Sequence, residues 1–223
     1  MKPDEATKRS KGDNPLLQRL RWVSMEELLG DKSINLIVLE GEVKDRAIRG
    51  SVSWKQASTS ILEKPPTSKL EPFQELVKLA RAPRSPTSAR LYLALPRRHE
   101  RALEASRKGW LGDVFMIRAT INSDRDMKQR VVEARYPGGS MFELGWHVID
   151  LVIPILGRPD QAQSCLRHDA KIRDTIKDNT LAVFEYPSAL GLIVSSNRDA
   201  ASHRSFEVIG SDGSIMVEPM EPV

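Results

Sequence analysis

Residues Gly138 to Val152 read Gly-Gly-Ser-Met-Phe-Glu-Leu-Gly-Trp-His-Val-Ile-Asp-Leu-Val. As a helix this run is apolar almost all round, with Met141, Phe142, Leu144, Trp146, Val148, Ile149, Leu151 and Val152. Such a helix must be covered on most of its surface, which demands a sheet or further helices around it. Its polar residues Ser140, Glu143, His147 and Asp150 recur at spacings of three and four and share one stripe. Burying a carboxylate and an imidazole unpaired is costly, so the stripe faces a partner, water or a ligand. A histidine that exchanges protons near neutral pH, with a carboxylate one turn away, is an acid/base arrangement. The same residues also fit a core histidine bonded to a backbone carbonyl and a glutamate favoured by the helix dipole. Asp150 reads as a residue that hydrogen-bonds locally or braces an interface, outside any catalysis.

The rest of the chain supplies material to cover that helix. Its 223 residues suit one large or two small domains, and 40% are hydrophobic. The 34 Lys and Arg are interleaved with 30 Asp and Glu, with no basic run studded with aromatics, which argues against a nucleic-acid partner. One cysteine, Cys165, excludes an intrachain disulfide and a cysteine-based zinc cage and fits a reducing, cytoplasmic setting. No apolar run reaches spanning length, and Met1–Asn14 has no apolar leader core, so no membrane is expected. His99, His168 and His203, scattered among Arg and Asp, read as surface residues; no metal site is expected. Trp54 and Trp146 read as packing residues.

Along the chain, residues 1–23 are polar, and 1–14 read as disordered. Leu16–Val23 is short and amphipathic. Ser24-Met25-Glu26-Glu27 is a capping box opening a helix that ends near Gly30. Ile34–Leu39 is an apolar, β-branched run of the kind found in parallel strands. A weak helix over Val43–Ala57, a short strand at Ser60–Leu62 and an amphipathic helix over Leu70–Ala82 follow, giving a parallel α/β piece. A Pro/Ser-rich joint at Pro83–Ser88 precedes a strand-like Arg90–Leu95, a charged helix over Arg97–Lys108 and a strand over Asp113–Asn122. After a long helix over Gly138–Gly157, five short runs separated by turn signals predict an antiparallel meander: Ala162–Leu166, Thr180–Tyr186, Leu190–Ser195, Ser205–Ile209 and Ile215–Val217.

Several of these segments together resemble one family. Glu63-Lys64-Pro65 after a short strand resembles the Glu-Lys-Pro motif of the glucose-fructose oxidoreductase/inositol dehydrogenase (Gfo/Idh/MocA) family. Gly138-Gly139 with Glu143, Gly145, His147 and Asp150 resembles its second motif. Gly109-Trp110-Leu111-Gly112-Asp113 looks like the turn before the first long strand of its second domain. Phe206–Met216, with Gly210 and Asp212-Gly213-Ser214, looks like its hairpin, and Met25–Leu29 with Ile34–Leu39 looks like the later part of its nucleotide-binding domain. The resemblance runs in order from about residue 22 onward.

The resemblance implies a partial Rossmann-like parallel α/β piece over 24–86, a truncated dinucleotide-binding domain. An open antiparallel sheet backed by a long helix follows over 87–223, as a substrate and oligomerisation domain. It implies NAD- or NADP-dependent hydride transfer on a sugar, polyol or related hydroxyl compound. Glu63, Lys64 and Pro65 would lie against the cofactor, and the Lys64 ammonium would polarise the reacting oxygen. His147 would exchange the hydroxyl proton; Glu143, where the family usually has Asp, would bind substrate and orient His147. Pairing through the second domain's sheet would give a homo-oligomer.

The departures are as informative. A dinucleotide fold opens with Gly-x-Gly-x-x-Gly at a helix N-terminus, which cradles the pyrophosphate. No two of the 13 glycines here stand two residues apart. Glu40-Gly41-Glu42 puts negative charge after the Ile34–Leu39 strand, and Pro96-Arg97-Arg98-His99 replaces the family's pattern further on. Two readings follow: an oxidoreductase impaired by loss of the first half of its cofactor domain, or an inactive remnant serving as a ligand-binding or assembly module. On either, the parallel piece leaves an apolar face uncovered.

Overall fold

The computed structural model describes residues 19–56, 59–81 and 97–220. It divides into two compact units, Met1–Tyr92 and Leu93–Val223. The strand-like Arg90–Leu95 and most of the polar N-terminal segment lie outside the described residues.

In the first unit, helix α1 (Met25–Gly30) starts with both arms of the capping box in place. The Ser24 amide donates to Glu27 Oε2 at 2.8 Å and the Glu27 amide to Ser24 Oγ at 3.1 Å. Strand β1 (Leu36–Leu39), helix α2 (Val43–Gln56), strand β2 (Thr59–Leu62) and helix α3 (Leu70–Arg81) follow. The two strands pair in parallel, with Val38 opposite Ile61. Ile37 and Leu39 point into a small core with Ala47, Leu62 and Leu76. Gly50 lets α2 sit close to α3, since a Cβ there would lie 3.3 Å from Leu76 Cδ2. The other face of β1 is open: Leu36 is 50% and Val38 62% exposed. A parallel strand is normally covered on both faces.

The second unit holds helix α4 (Arg97–Arg107), strand β3 (Val114–Ile121), helices α5 (Met127–Glu133), α6 (Gly139–Glu143) and α7 (Gly145–Leu156), then strands β4 (Gln161–Arg167), β5 (Asn179–Glu185), β6 (Leu190–Ser196), β7 (Arg204–Gly210) and β8 (Ser214–Val217). The strands form one sheet in the order β4-β5-β6-β3-β7-β8. Four of its neighbouring pairs are antiparallel, but β3 and β6 run parallel, so the sheet is mixed rather than a pure meander. Alternation places Ile117, Ala119, Ile121, Ala182, Ile193, Phe206 and Val208 on one face, where Val148, Leu151 and Val152 of α7 cover them.

Two further sequence expectations need correction here, and one helix was not anticipated. The long helix breaks at Leu144 into α6 and α7, where the His147 amide bonds to the Leu144 carbonyl in a tight turn of 3.0 Å. Helix α5 was not anticipated, although Asp126 and Gln129 cap it reciprocally. His99 is buried at 2% exposure, not on the surface. It shares the inward face of α4 with Ala102 and Leu103, three and four residues on, and meets the Phe206 ring edge-on at 6.5 Å.

Candidate functional site

The polar stripe grades from core to solvent. Ser140 is fully buried, Glu143 and His147 are half-buried, and Asp150 is exposed. Gly138 and Gly139 both have positive φ, 86° and 52°, and a Cβ on Gly139 would lie 2.2 Å from the Lys177 carbonyl oxygen. Only glycine permits that approach. Ser140 then donates to the Ser195 carbonyl at 2.9 Å and meets Thr180 Oγ1 at 3.2 Å. Ser140 is therefore a structural anchor of α6 on β5 and β6. What it anchors is Glu143, at the end of α6, and His147, in the first turn of α7.

Glu143 is held by a residue the sequence did not single out. Arg125 Nη2 donates to Glu143 Oε2 at 3.0 Å, and Arg125 Nε pairs with Glu133 Oε1 at 2.6 Å. Glu133 also accepts from Asn197 Nδ2, and Asn197 Oδ1 accepts from Ser123 Oγ at 3.0 Å. Burial pushes the Glu133 carboxyl above its ordinary range; the Arg125 cation opposes this and the Glu143 carboxylate adds to it. A second buried set adjoins on α5. Arg130 donates to Asp174 at 2.7 and 3.1 Å and to Asp178 at 2.9 Å. Burial alone would raise Asp174, but hydrogen bonds from Arg130 and the Ile176 amide hold it below its usual value. His168 was read as a surface residue. It is half-buried, with Nδ1 2.8 Å from the Ile176 carbonyl and Nε2 3.1 Å from that of Ile172. His203 is exposed and bonds Asp199 at 2.8 Å.

Lys64 belongs to the first unit, in the turn after β2. Glu63 and Lys64 are half-buried and Pro65 is buried. Arg46, from α2, fixes this turn by donating from Nη1 to the Lys64 carbonyl at 2.7 Å and the Pro65 carbonyl at 2.9 Å. Its Nε donates to the Gly41 carbonyl at 2.8 Å, so one guanidinium ties together the turns after β1 and β2. These are carboxyl ends of parallel strands, where ligands of open α/β sheets bind.

None of these contacts was legible locally. Arg125 and Asn197 lie on segments far apart in sequence, and Arg46 looks like an ordinary helix charge. The one available signal was the Asp126–Gln129 cap, which predicts α5 and places Arg125 and Glu133 at its two ends. Among the described residues no group of three or more His, Cys, Asp and Glu could hold a metal ion, and no helix is long and apolar enough to cross a membrane.

A mixed open sheet backed by a Gly-Gly-initiated helix pair follows a small parallel α/β unit along the chain. The chain belongs to the GFO/IDH/MocA family, since the model of the GFO/IDH/MocA C-terminal domain matches residues 99–216. The oxidoreductase YhhX of Escherichia coli K12 is 24% identical over 213 residues, spanning 91% of this chain and 58% of YhhX. GenD2 from gentamicin A biosynthesis, solved in complex with NAD, shares the fold with a TM-score of 0.75 at 20% identity, over 87% of this chain and 57% of GenD2. The WlbA dehydrogenase of Bordetella pertussis, solved with NADH and UDP-GlcNAcA, does so with a TM-score of 0.72 at 18% identity, over 87% of this chain and 62% of WlbA. The chain thus spans roughly three fifths of the length of these relatives.

NAD or NADP is the cofactor that this family membership implies. The residues fit it only in part. The Glu63–Pro65 turn stands where a strand end can meet a ligand, but Glu40 and Glu42, both exposed, flank the β1 turn with negative charge. Without a Gly-x-Gly-x-x-Gly turn anywhere in the sequence, a diphosphate has no cradle of the usual kind.

Proposed function

We propose that this chain carries the substrate-binding and proton-transfer half of an NAD(P)-dependent oxidoreductase acting on a sugar, polyol or related hydroxyl or carbonyl compound. Residues 24–86 belong to a dinucleotide-binding domain, and 87–223 form the substrate domain. The observation that carries this reading is Glu143, fixed by Arg125 at the end of α6, one turn before His147. His147 exchanges the hydroxyl proton. The Glu143 carboxylate accepts a hydrogen bond from a substrate hydroxyl and orients the imidazole. Lys64 supplies a cation that lowers the cost of negative charge on the reacting oxygen. A nicotinamide cofactor, when bound, supplies the redox chemistry. By itself the chain holds no dinucleotide tightly, so its hydride transfer is impaired. The alternative is an inactive remnant acting as a ligand-binding or assembly module.

Homo-oligomerisation through the outer face of the sheet belongs to the same reading. The register puts Leu181 opposite Val194 and Val183 opposite Leu192 on that face, all half-exposed. The single cysteine, Cys165, supports a reducing, cytoplasmic setting.

Calorimetric titration of the chain with myo-inositol, aldoses and UDP-linked sugars tests the substrate half. Binding of at least one of these should weaken at least about tenfold in a folded His147→Ala variant, as expected when a buried hydrogen-bonding partner of a ligand is lost. Equal affinity in the variant, or no binding across the panel, contradicts the assignment.

A further inference from the structure

Arg125 stands between two carboxylates of different burial. The Glu133 side chain is 5% exposed, Arg125 19% and Glu143 21%. Glu133 is the fixed end: Asn197 donates to it, and Asn197 is locked by Ser123 Oγ and by its own amide to the Asp178 carbonyl at 2.9 Å. Arg125 directly precedes the N-cap of α5, and Glu133 is its last residue. The cluster is therefore built on one short helix and the end of β6, not on mobile side chains. Two carboxylates sharing one guanidinium leave a net charge of −1, and the negative end nearer to solvent is Glu143. Arg130, Asp174 and Asp178 are paired among themselves and lie outside this sharing.

We propose that Arg125 and Glu133 are positioning residues for Glu143. Buried Glu133 holds the guanidinium, and the guanidinium aims the Glu143 carboxylate and partly neutralises its field on His147. This rests on the reading of Glu143 and His147 as the proton-handling pair. Sharing fixes the sign of each perturbation. Removing the Arg125 charge exposes His147 to the full Glu143 carboxylate and stabilises the imidazolium. Removing the Glu133 charge releases the guanidinium wholly to Glu143 and destabilises the imidazolium.

The test is the titration midpoint of His147, read by NMR on the full chain with labelled histidine, the assignment coming from His147→Ala. Arg125→Gln should raise the midpoint and Glu133→Gln should lower it, each by at least about 0.3 pH unit; Glu143→Gln should itself lower it. A merely structural role moves both variants the same way or not at all, and either result overturns the proposal. Should the first pair not fold, Arg125→Met must raise the midpoint and Glu133→Leu, which also removes the charge but leaves no polar group to bury, must lower it. Any other outcome again refutes the sharing. The measurement needs no substrate. Opposite shifts together with failed ligand binding would retain the network and remove the functional reading; the reverse pattern would do the opposite.

Discussion

At the scale of single residues, Gly139 shows how a motif position is set by backbone geometry. Its φ of 52° and the 2.2 Å between a built Cβ and the Lys177 carbonyl leave no room for a side chain. Gly139→Ala should destabilise the second unit by about 2 kcal/mol or more, through left-handed strain and the forced withdrawal of the 177 backbone. Thermal denaturation of the variant checks this; an unchanged melting temperature would mean that α6 is not seated as described. Residues of this kind were visible in the sequence as a Gly-Gly pair. The Glu143 and His147 stripe was visible as spacing. Arg125 was not, because its meaning depends on Asn197 and Glu143 reaching it from distant segments. His99 was misread because its charged neighbours outweighed the periodicity that puts it beside Ala102.

At the scale of elements, local chemistry was a good guide wherever one face of one element decided the outcome. The α1 capping box, the apolar face of α3 and the alternation in β5, β6 and β7 all appear where the pattern puts them. Two features escaped because they are properties of packing. The break at Leu144 follows from seating Ser140 on β5 and β6 while α7 lies along the sheet. The parallel β3–β6 pair follows from three helices and two strands intervening between them. The 168–178 segment is held to α5 by Arg130, and Asp178 is wholly buried. Arg130→Met removes the only guanidinium that pairs with Asp178 among the described residues and strands a buried carboxylate, at a cost of about 3–5 kcal/mol. Chemical denaturation should show that loss, and Arg130→Met with Asp178→Asn should recover much of it. Independent, additive losses would show that the pair is not coupled.

At the scale of the molecule, the described residues give one well-covered sheet face and leave two apolar surfaces uncovered. One is the outer face of β1, where Leu36 and Val38 are exposed. The other is the outer face of the six-stranded sheet, through Leu181, Val183, Leu192 and Val194. Pairing over the latter predicts a dimer at micromolar concentration, and Leu192→Glu should convert it to monomer by placing a charge at the centre of the buried patch. Sedimentation velocity reads this directly; a monomeric parent chain would remove the sheet from the assembly account. The six-stranded sheet and its helices fall almost wholly within residues 99–216, where the family model matches. The sequence as it stands carries no Gly-x-Gly-x-x-Gly turn.

The most direct test of the central claim is calorimetric titration of the purified 223-residue chain with NADH and with NADPH. No measurable heat is expected up to high micromolar cofactor, because the sequence holds no Gly-x-Gly-x-x-Gly cradle for the diphosphate. Saturable binding in the micromolar range, abolished by Lys64→Ala, would contradict it and show that these residues complete a cofactor site on their own.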